Sequence, residues 1–426
     1  MTKTIEVVRP ETVGLSSERL ARIETHLDRR YIPPQKIAGA LTLVSRKGEV
    51  AYLSTLGQMD IERAKPMTED TIFRIYSMTK PITSVGLMML YEHGHFQLDD
   101  PVYKFIPEWR DLRVYQLGNH PNWVTTPCER PMTIRDLFTH MSGLTCDFME
   151  RTNIDRAYRR LHVGRDRQKN LRSMVESLAT PPLEFSPGTA WNYSVSTDVL
   201  GYLIEVISGV PLDEYFRTEI FEPLGMVDTG FTVPEDEIDR FAANYTRGRD
   251  KKPRLEDDPA TSVYAKPTSF FSGGGGLVST AADYLQFCRM LLNGGELDGR
   301  RFLGRKTLEL KPDLITLDLE MPRMNGFTFL RIVMAKRPTP VIVISGRAEE
   351  EEVFKALDLG AVDFIAKPTA TSTLELRSIE EGLIRKVHAM RELRIDKVAE
   401  RIQTTPPILT EAARPDKEIA SVVVIG

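Results

Sequence analysis

Apolar residues along the first third of the chain switch between a helical and a strand period. Leu20, Ile23 and Leu27 stand at near-helical spacing behind Ser16 and Ser17, either of which can cap a helix over residues 15–30. Two strand-length runs follow at residues 38–45 and 50–55, joined by the turn Arg46-Lys47-Gly48-Glu49. A third run, residues 72–76, leads into a helical pattern over 82–92, with Pro81 in the first turn, where proline is tolerated. Further helical patterns start at Thr133, Asp198 and Asp283. After Leu310 the character changes. Short apolar runs at 314–319, 341–345 and 363–366 alternate with helical patterns at 326–336 and 348–359, the latter closed by Gly360. That order predicts parallel strands joined by right-handed crossovers. A highly charged helical pattern over 375–401 and an apolar run over 419–426 complete the sequence.

At 426 residues the chain is long enough for two or three domains, and its 41% hydrophobic and 27% charged residues are ordinary for globular protein. A net charge of −4 gives no electrostatic reason to expect nucleic acid or an acidic membrane as partner. Cys128, Cys146 and Cys288 are too few and too scattered for a disulfide framework or a zinc site, and read as buried, reduced thiols. The N-terminus lacks a signal-peptide core and no apolar run reaches the length of a membrane span, so a cytoplasmic location is expected. No internal repeat or low-complexity segment interrupts the pattern.

Chemistry first surfaces at Ser77-Met78-Thr79-Lys80. A serine at a helix start presents an unpaired backbone N–H to a developing oxyanion, and its hydroxyl reaches a group three residues on. Lys80, if desolvated, can accept the serine proton. The plain alternative is a Ser77 that only caps its helix. The loop Pro187-Gly188-Thr189-Ala190-Trp191-Asn192 delivers Tyr193, which is either an acid/base group or a packed tyrosine with a bonded hydroxyl. His140 reads as structural, since no G-x-S-x-G elbow exists to need it. Gly273-Gly274-Gly275-Gly276 allows close backbone approach but lacks the Lys of a nucleotide loop.

These blocks, in this order, resemble the serine β-lactamase family over about residues 10–310, nearest its class C and family VIII esterase branch. The resemblance implies a β-lactamase/transpeptidase-like fold and hydrolysis of a small ester through an acyl-enzyme, with no cofactor. It also implies Ser77 as nucleophile, Lys80 as proton acceptor and Tyr193 as acid/base. Two departures bear on it. Class C members have Asn two residues after the tyrosine, and Val195 stands there, which favours esters over β-lactams. The family's later Lys-Thr-Gly, His-x-Gly or Trp-Gly-Gly block, on an inner strand that supplies a second oxyanion donor, does not follow residue 310.

The second region ends its predicted strands near Asp318, Ser345 and Lys367. Ligands of parallel sheets gather at such ends. A carboxylate there can attack a phosphoryl group, while the hydroxyl and the ammonium hold the phosphate oxygens. Asp318 with Met321-Pro322 and Asn325-Gly326, then Ser345-Gly346, then Phe364 and Lys367-Pro368, resembles the response-regulator receiver family, in wording closest to the chemotaxis methylesterases. By that resemblance Asp318 is the phosphoacceptor for a histidine kinase, Ser345 and Phe364 are the switch pair, Lys367 contacts the phosphate, and Lys367-Pro368 is cis. The family's Mg²⁺ needs a pair of acids on an earlier strand. The place for it, counted back from Asp318, falls on Gly273–Gly276, so Asp318 is left with only part of a metal site.

The expected organisation is α/β and α+β. A partial hydrolase domain covers 1–310 and a partial flavodoxin-like receiver sheet covers 311–372. A helical linker covers 373–418, and the first strand of a methylesterase-like domain covers 419–426. Each incomplete sheet should offer an apolar edge, and self-association is expected. Rival readings are a signalling fragment working through Asp318 and an inactive chimera.

Overall fold

The computed structural model describes residues 5–164, 169–308, 315–318, 326–336, 341–345, 350–366 and 421–425. They fall into two units. One holds the described residues up to Leu308 together with the Ser421–Ile425 strand, and the other holds those between 315 and 366.

The first unit opens as its sequence pattern predicts. Ser16 caps the Ser17–Arg30 helix, accepting a hydrogen bond from the Arg19 N–H at 3.3 Å. The strands Gly39–Arg46 and Glu49–Asp60 pair antiparallel around Lys47 and Gly48, whose φ angles of 58° and 82° suit a tight hairpin turn. The second strand runs further than its apolar run suggests. One face of this hairpin is buried: Leu41, Leu43, Val50 and Met59 pack with Phe73 and Leu285. Beside it lies a larger, mainly helical core. The Thr79–Glu92 and Ser196–Ser208 helices meet there through Ile82, Leu87, Val199, Leu203 and Ile204. Gly86 permits that closeness, since a Cβ would come within 3.4 Å of Phe216, Ile204 and Tyr215.

The Ser421–Ile425 strand was expected to open a methylesterase-like domain. Here it pairs antiparallel with Gly39–Arg46, with Ser421 opposite Ser45 and Ile425 opposite Leu41. It lies first in a four-strand order, followed by Gly39–Arg46, Glu49–Asp60 and Lys65–Pro66. An open strand edge exposes unpaired N–H and C=O groups, and an apolar, β-branched segment such as Ser421–Ile425 satisfies them.

The second unit contains the predicted parallel sheet, in the order Ile315–Asp318, Val341–Ser345, Asp363–Ala366. The Gly326–Lys336 and Glu350–Asp358 helices connect the strands, and the second is closed by Gly360 at a φ of 99°. Among the described residues, Leu330, Val341, Val343, Ala356 and Ala361 form its buried cluster. Among the described residues, no strand pairs with the far edge of Ile315–Asp318. No helix among them is long and apolar enough to cross a membrane.

Candidate active site

Ser77 lies in a short 3₁₀ turn, Tyr76–Met78, that runs directly into the Thr79–Glu92 helix. The chain enters that turn strained, with Tyr76 at a φ of 41°, a conformation that costs a bulky residue free energy and that clusters at functional sites. Ser77 is thereby exposed at the helix start. Its N–H belongs to the first helical turn, where intrahelical acceptors are lacking.

Three groups converge there from distant segments. Ser77 Oγ lies 2.9 Å from the Tyr193 hydroxyl, and either can donate. Lys80 Nζ donates to Ser77 Oγ at 3.2 Å and to the Gly274 carbonyl at 2.5 Å. It also sits 4.9 Å from the centre of the Tyr193 ring. Tyr193 is half-buried, with its hydroxyl beside Ser77 Oγ.

The glycine run has a specific place. Gly273 and Gly274 lie against the Ser196–Ser208 helix, and a Cβ on Gly274 would come 2.5 Å from Asp198 Oδ2. Asp198 is buried and accepts hydrogen bonds from the Ser272 hydroxyl and, at 3.0 Å, from the Gly274 N–H. Gly274 is thus gripped from below by Asp198 while its carbonyl holds Lys80. Burial pushes the Asp198 carboxyl above its usual range, against the pull of Ser272, Gly274 and Lys80. Asp198 was not singled out from the sequence. The available signal was an acid on an otherwise apolar helix face.

His140 is structural in position: its ring stacks on Tyr193 at 5.0 Å and 28°, and Nδ1 lies 3.2 Å from Ser194 Oγ. Ser194 and Ser142 both bond Ser196 in the buried layer beneath. Desolvation, then the Lys80 charge, holds the imidazole pKa below its ordinary value. All three cysteines are free. Burial raises their thiol pKa values, for Cys146 up to about 12, which disfavours the thiolate.

In the second unit Asp318 and Ser345 end neighbouring parallel strands. Asp318 pairs with Ile344 and Ser345 with Ala366. Phe364, half-buried, pairs with Val343 on the middle strand. Lys367, its peptide bond to Pro368 and the linker lie outside the described residues, as do the side chains of Asp318 and Ser345. Among the described residues, which leave out the Asp318 side chain, no group of three His, Cys, Asp or Glu could hold a metal ion.

Comparison with known proteins finds relatives of both regions. The Beta-lactamase family matches residues 20–317, and the Response regulator receiver domain matches residues 297–378. Protein Rv1367c of Mycobacterium tuberculosis is 39% identical over 294 residues, covering 69% of this chain and 72% of that protein. Esterase EstB of Burkholderia gladioli is 33% identical over 295 residues, covering 65% of this chain and 71% of that protein. A protein-glutamate methylesterase/protein-glutamine glutaminase of Geobacter sulfurreducens is 59% identical over 97 residues; these are 23% of this chain and only 26% of that protein. Among solved structures, EstCE1, a hydrolase with promiscuous acyltransferase activity, shares 26% identity and a TM-score of 0.56, covering 68% of this chain and 76% of that one. Simvastatin synthase from Aspergillus terreus shares the fold, with a TM-score of 0.58 at 23% identity, covering 76% and 78%. The chain belongs to the beta-lactamase family: it is a serine hydrolase of β-lactamase/transpeptidase-like fold, joined to a receiver domain related to those of chemotaxis methylesterases.

Proposed function

We propose that this beta-lactamase-family chain cleaves small carboxylic esters through an acyl-enzyme on Ser77. The observation that carries the reading is the convergence of Tyr193 and Lys80 on Ser77 Oγ, at 2.9 and 3.2 Å. For this step Lys80 must first give up a proton; it then keeps one N–H on the Gly274 carbonyl and turns its lone pair to the Ser77 hydroxyl. Ser77 Oγ then attacks the ester carbonyl while its proton passes to Lys80. The Ser77 N–H faces the developing oxyanion. As the carbonyl–alkoxy bond breaks, Tyr193 hands a proton to the departing alkoxide and recovers one from Lys80. Water attacks the acyl-enzyme by the same route reversed, releasing acid and restoring Ser77. Asp198 acts at one remove as a positioning residue, by fixing Gly274. No cofactor enters these steps.

Val195 stands where class C members place an asparagine, and its N–H is spent on the Thr145 carbonyl at 3.1 Å. β-Lactam turnover is therefore expected to be small. EstB, named as an esterase, supports the same choice of substrate. The test is hydrolysis of short p-nitrophenyl esters by the full chain, with Ser77→Ala and Lys80→Ala beside it. Turnover lost in both supports the reading, and full activity in Ser77→Ala overturns it.

The receiver portion supports a second, weaker role. Asp318 and Ser345 end adjacent parallel strands, which supports a reading in which Asp318 accepts a phosphoryl group from a histidine kinase and Ser345 acts as a switch residue. With glycines 273–276 where the sequence should carry the acid pair that holds the metal, phosphorylation there should be slow.

A further inference from the structure

We infer that the ester cleaved at Ser77 carries an aromatic ring, held on a ladder of rings that passes beside the nucleophile; this rests on the reading of Ser77 given above. The ladder runs Phe148, Tyr193, His140, Trp191, with ring centres 6.3, 5.0 and 6.2 Å apart. Its two inner members are tied down. Tyr193 reaches Ser77 with its hydroxyl, and His140 rests on the serine layer beneath it. Its two outer members face water: Phe148 is 58% exposed and Trp191 65%. Tyr76, next to the nucleophile in the chain, is 47% exposed.

An isolated exposed apolar side chain needs no explanation. Two exposed rings packed on the ladder that includes Tyr193, with exposed Tyr76 beside Ser77 in the chain, do, because clustered exposed apolar surface marks a place where something binds. Neither outer ring sits on loose chain. Phe148 lies in the turn Asp147–Met149, whose Asp147 carbonyl accepts from Arg159 at 2.5 Å. Trp191 precedes Asn192, which is buried and bonds the carbonyls of His140 and Leu144. Rings fixed in this way bind at little cost in conformational entropy.

The chemistry selects an arene over an alkyl chain. A ladder of faces and edges favours offset or edge-on partners, and each such pair adds roughly two- to tenfold in affinity beyond buried area. A ring packed edge-on against Tyr193, one face of which His140 occupies, would bring the attached ester group near the hydroxyl that touches Ser77. A cavity of about 330 Å³ lined by Met59, Phe73, Tyr76 and Asn244 is the competing place for a substrate group. Ser77, Lys80 and Tyr193 are not among its walls.

Three esters separate the possibilities: ethyl acetate, phenyl acetate with the ring on the alcohol side, and ethyl phenylacetate with the ring on the acyl side. Hydrolysis is followed by acid release in wild type, Phe148→Ala, Trp191→Ala and the double variant. The preference for an aryl ester over ethyl acetate, as a ratio of kcat/KM, should fall about three- to tenfold per variant, with most of the loss in KM. Phe148→Tyr and Trp191→Phe should restore it. The aryl ester that moves tells which side of the bond lies on the ladder. If an alanine variant folds poorly, Phe148→Leu and Trp191→Leu put the same question. An unmoved aryl preference in all variants overturns the inference. If Ser77→Ala abolishes turnover while the ladder variants keep the preference, only the substrate class falls; if Ser77→Ala retains turnover, the reading beneath it falls instead.

Discussion

The two regions of this chain display motifs of similar sharpness on very different foundations. Around Ser77, the motif residues are joined by groups that the motif does not contain. Asp198 steadies Gly274, which in turn holds Lys80, and His140 backs Tyr193. All of them rest on a large helical core. Around Asp318, the strand ends are in register, but among the described residues no strand covers the outer edge of Ile315–Asp318. The difference teaches that a motif locates reactive atoms, whereas reactivity depends on the neighbours that fix their position and proton state.

The sharpest way to break the comparison is to remove the nucleophile. Ser77→Ala should lower ester turnover by about 10³-fold or more, because the remaining groups only bind and polarise. Next comes the second region. Acetyl phosphate with Mg²⁺ should label Asp318 at least about tenfold less than it labels a complete receiver, since glycines 273–276 stand where the sequence should carry the acid pair that holds the metal. A Phos-tag gel reads this directly, and near-stoichiometric labelling would place the two regions on equal footing. Tyr193→Phe should cost about 10²-fold in kcat, the loss of one acid/base group. Asp198→Ala should cost less, about tenfold in kcat with little change in KM. Asp198→Asn, which keeps an acceptor for the Gly274 N–H, should recover most of that loss.

The smallest effect expected is on pH-dependent stability. Burial and Lys80 hold the His140 imidazole pKa below its ordinary value. As pH falls through the usual histidine range, near about 6.5, the unfolded chain therefore takes up a proton before the folded one does, and stability drops. His140→Asn should flatten that part of the Tm profile, and an unchanged slope would show that the imidazole titrates as it does in the unfolded chain.

Much of this was legible in sequence because it is local. The Ser16 cap, the Lys47-Gly48 turn, the Ser77 and Lys80 spacing within one helical turn, and Gly360 closing its helix each depend on a few neighbouring residues. What was not legible depends on distant pairs. Asp198 looks like any acid in a first helical turn until Gly274 is placed beside it, 76 residues further on. Arg74 is buried under Phe241, 3.9 Å from its ring centre, and nothing near Arg74 in the chain foretells that. The pairing of Ser421–Ile425 with Gly39–Arg46 joins opposite ends of the sequence. The exposure of Phe148 and Trp191 is likewise a property of the assembled surface, not of their own segments.

Treating one sample of the full chain with a fluorophosphonate and another with acetyl phosphate and Mg²⁺, then mapping both digests by mass spectrometry, tests the contrast in a single measurement. Near-complete modification of the Ser77 peptide, with little or no phosphoryl group on the Asp318 peptide, is the predicted result. An unmodified Ser77 beside a fully phosphorylated Asp318 would contradict the account and move the chemistry of this protein to its second region.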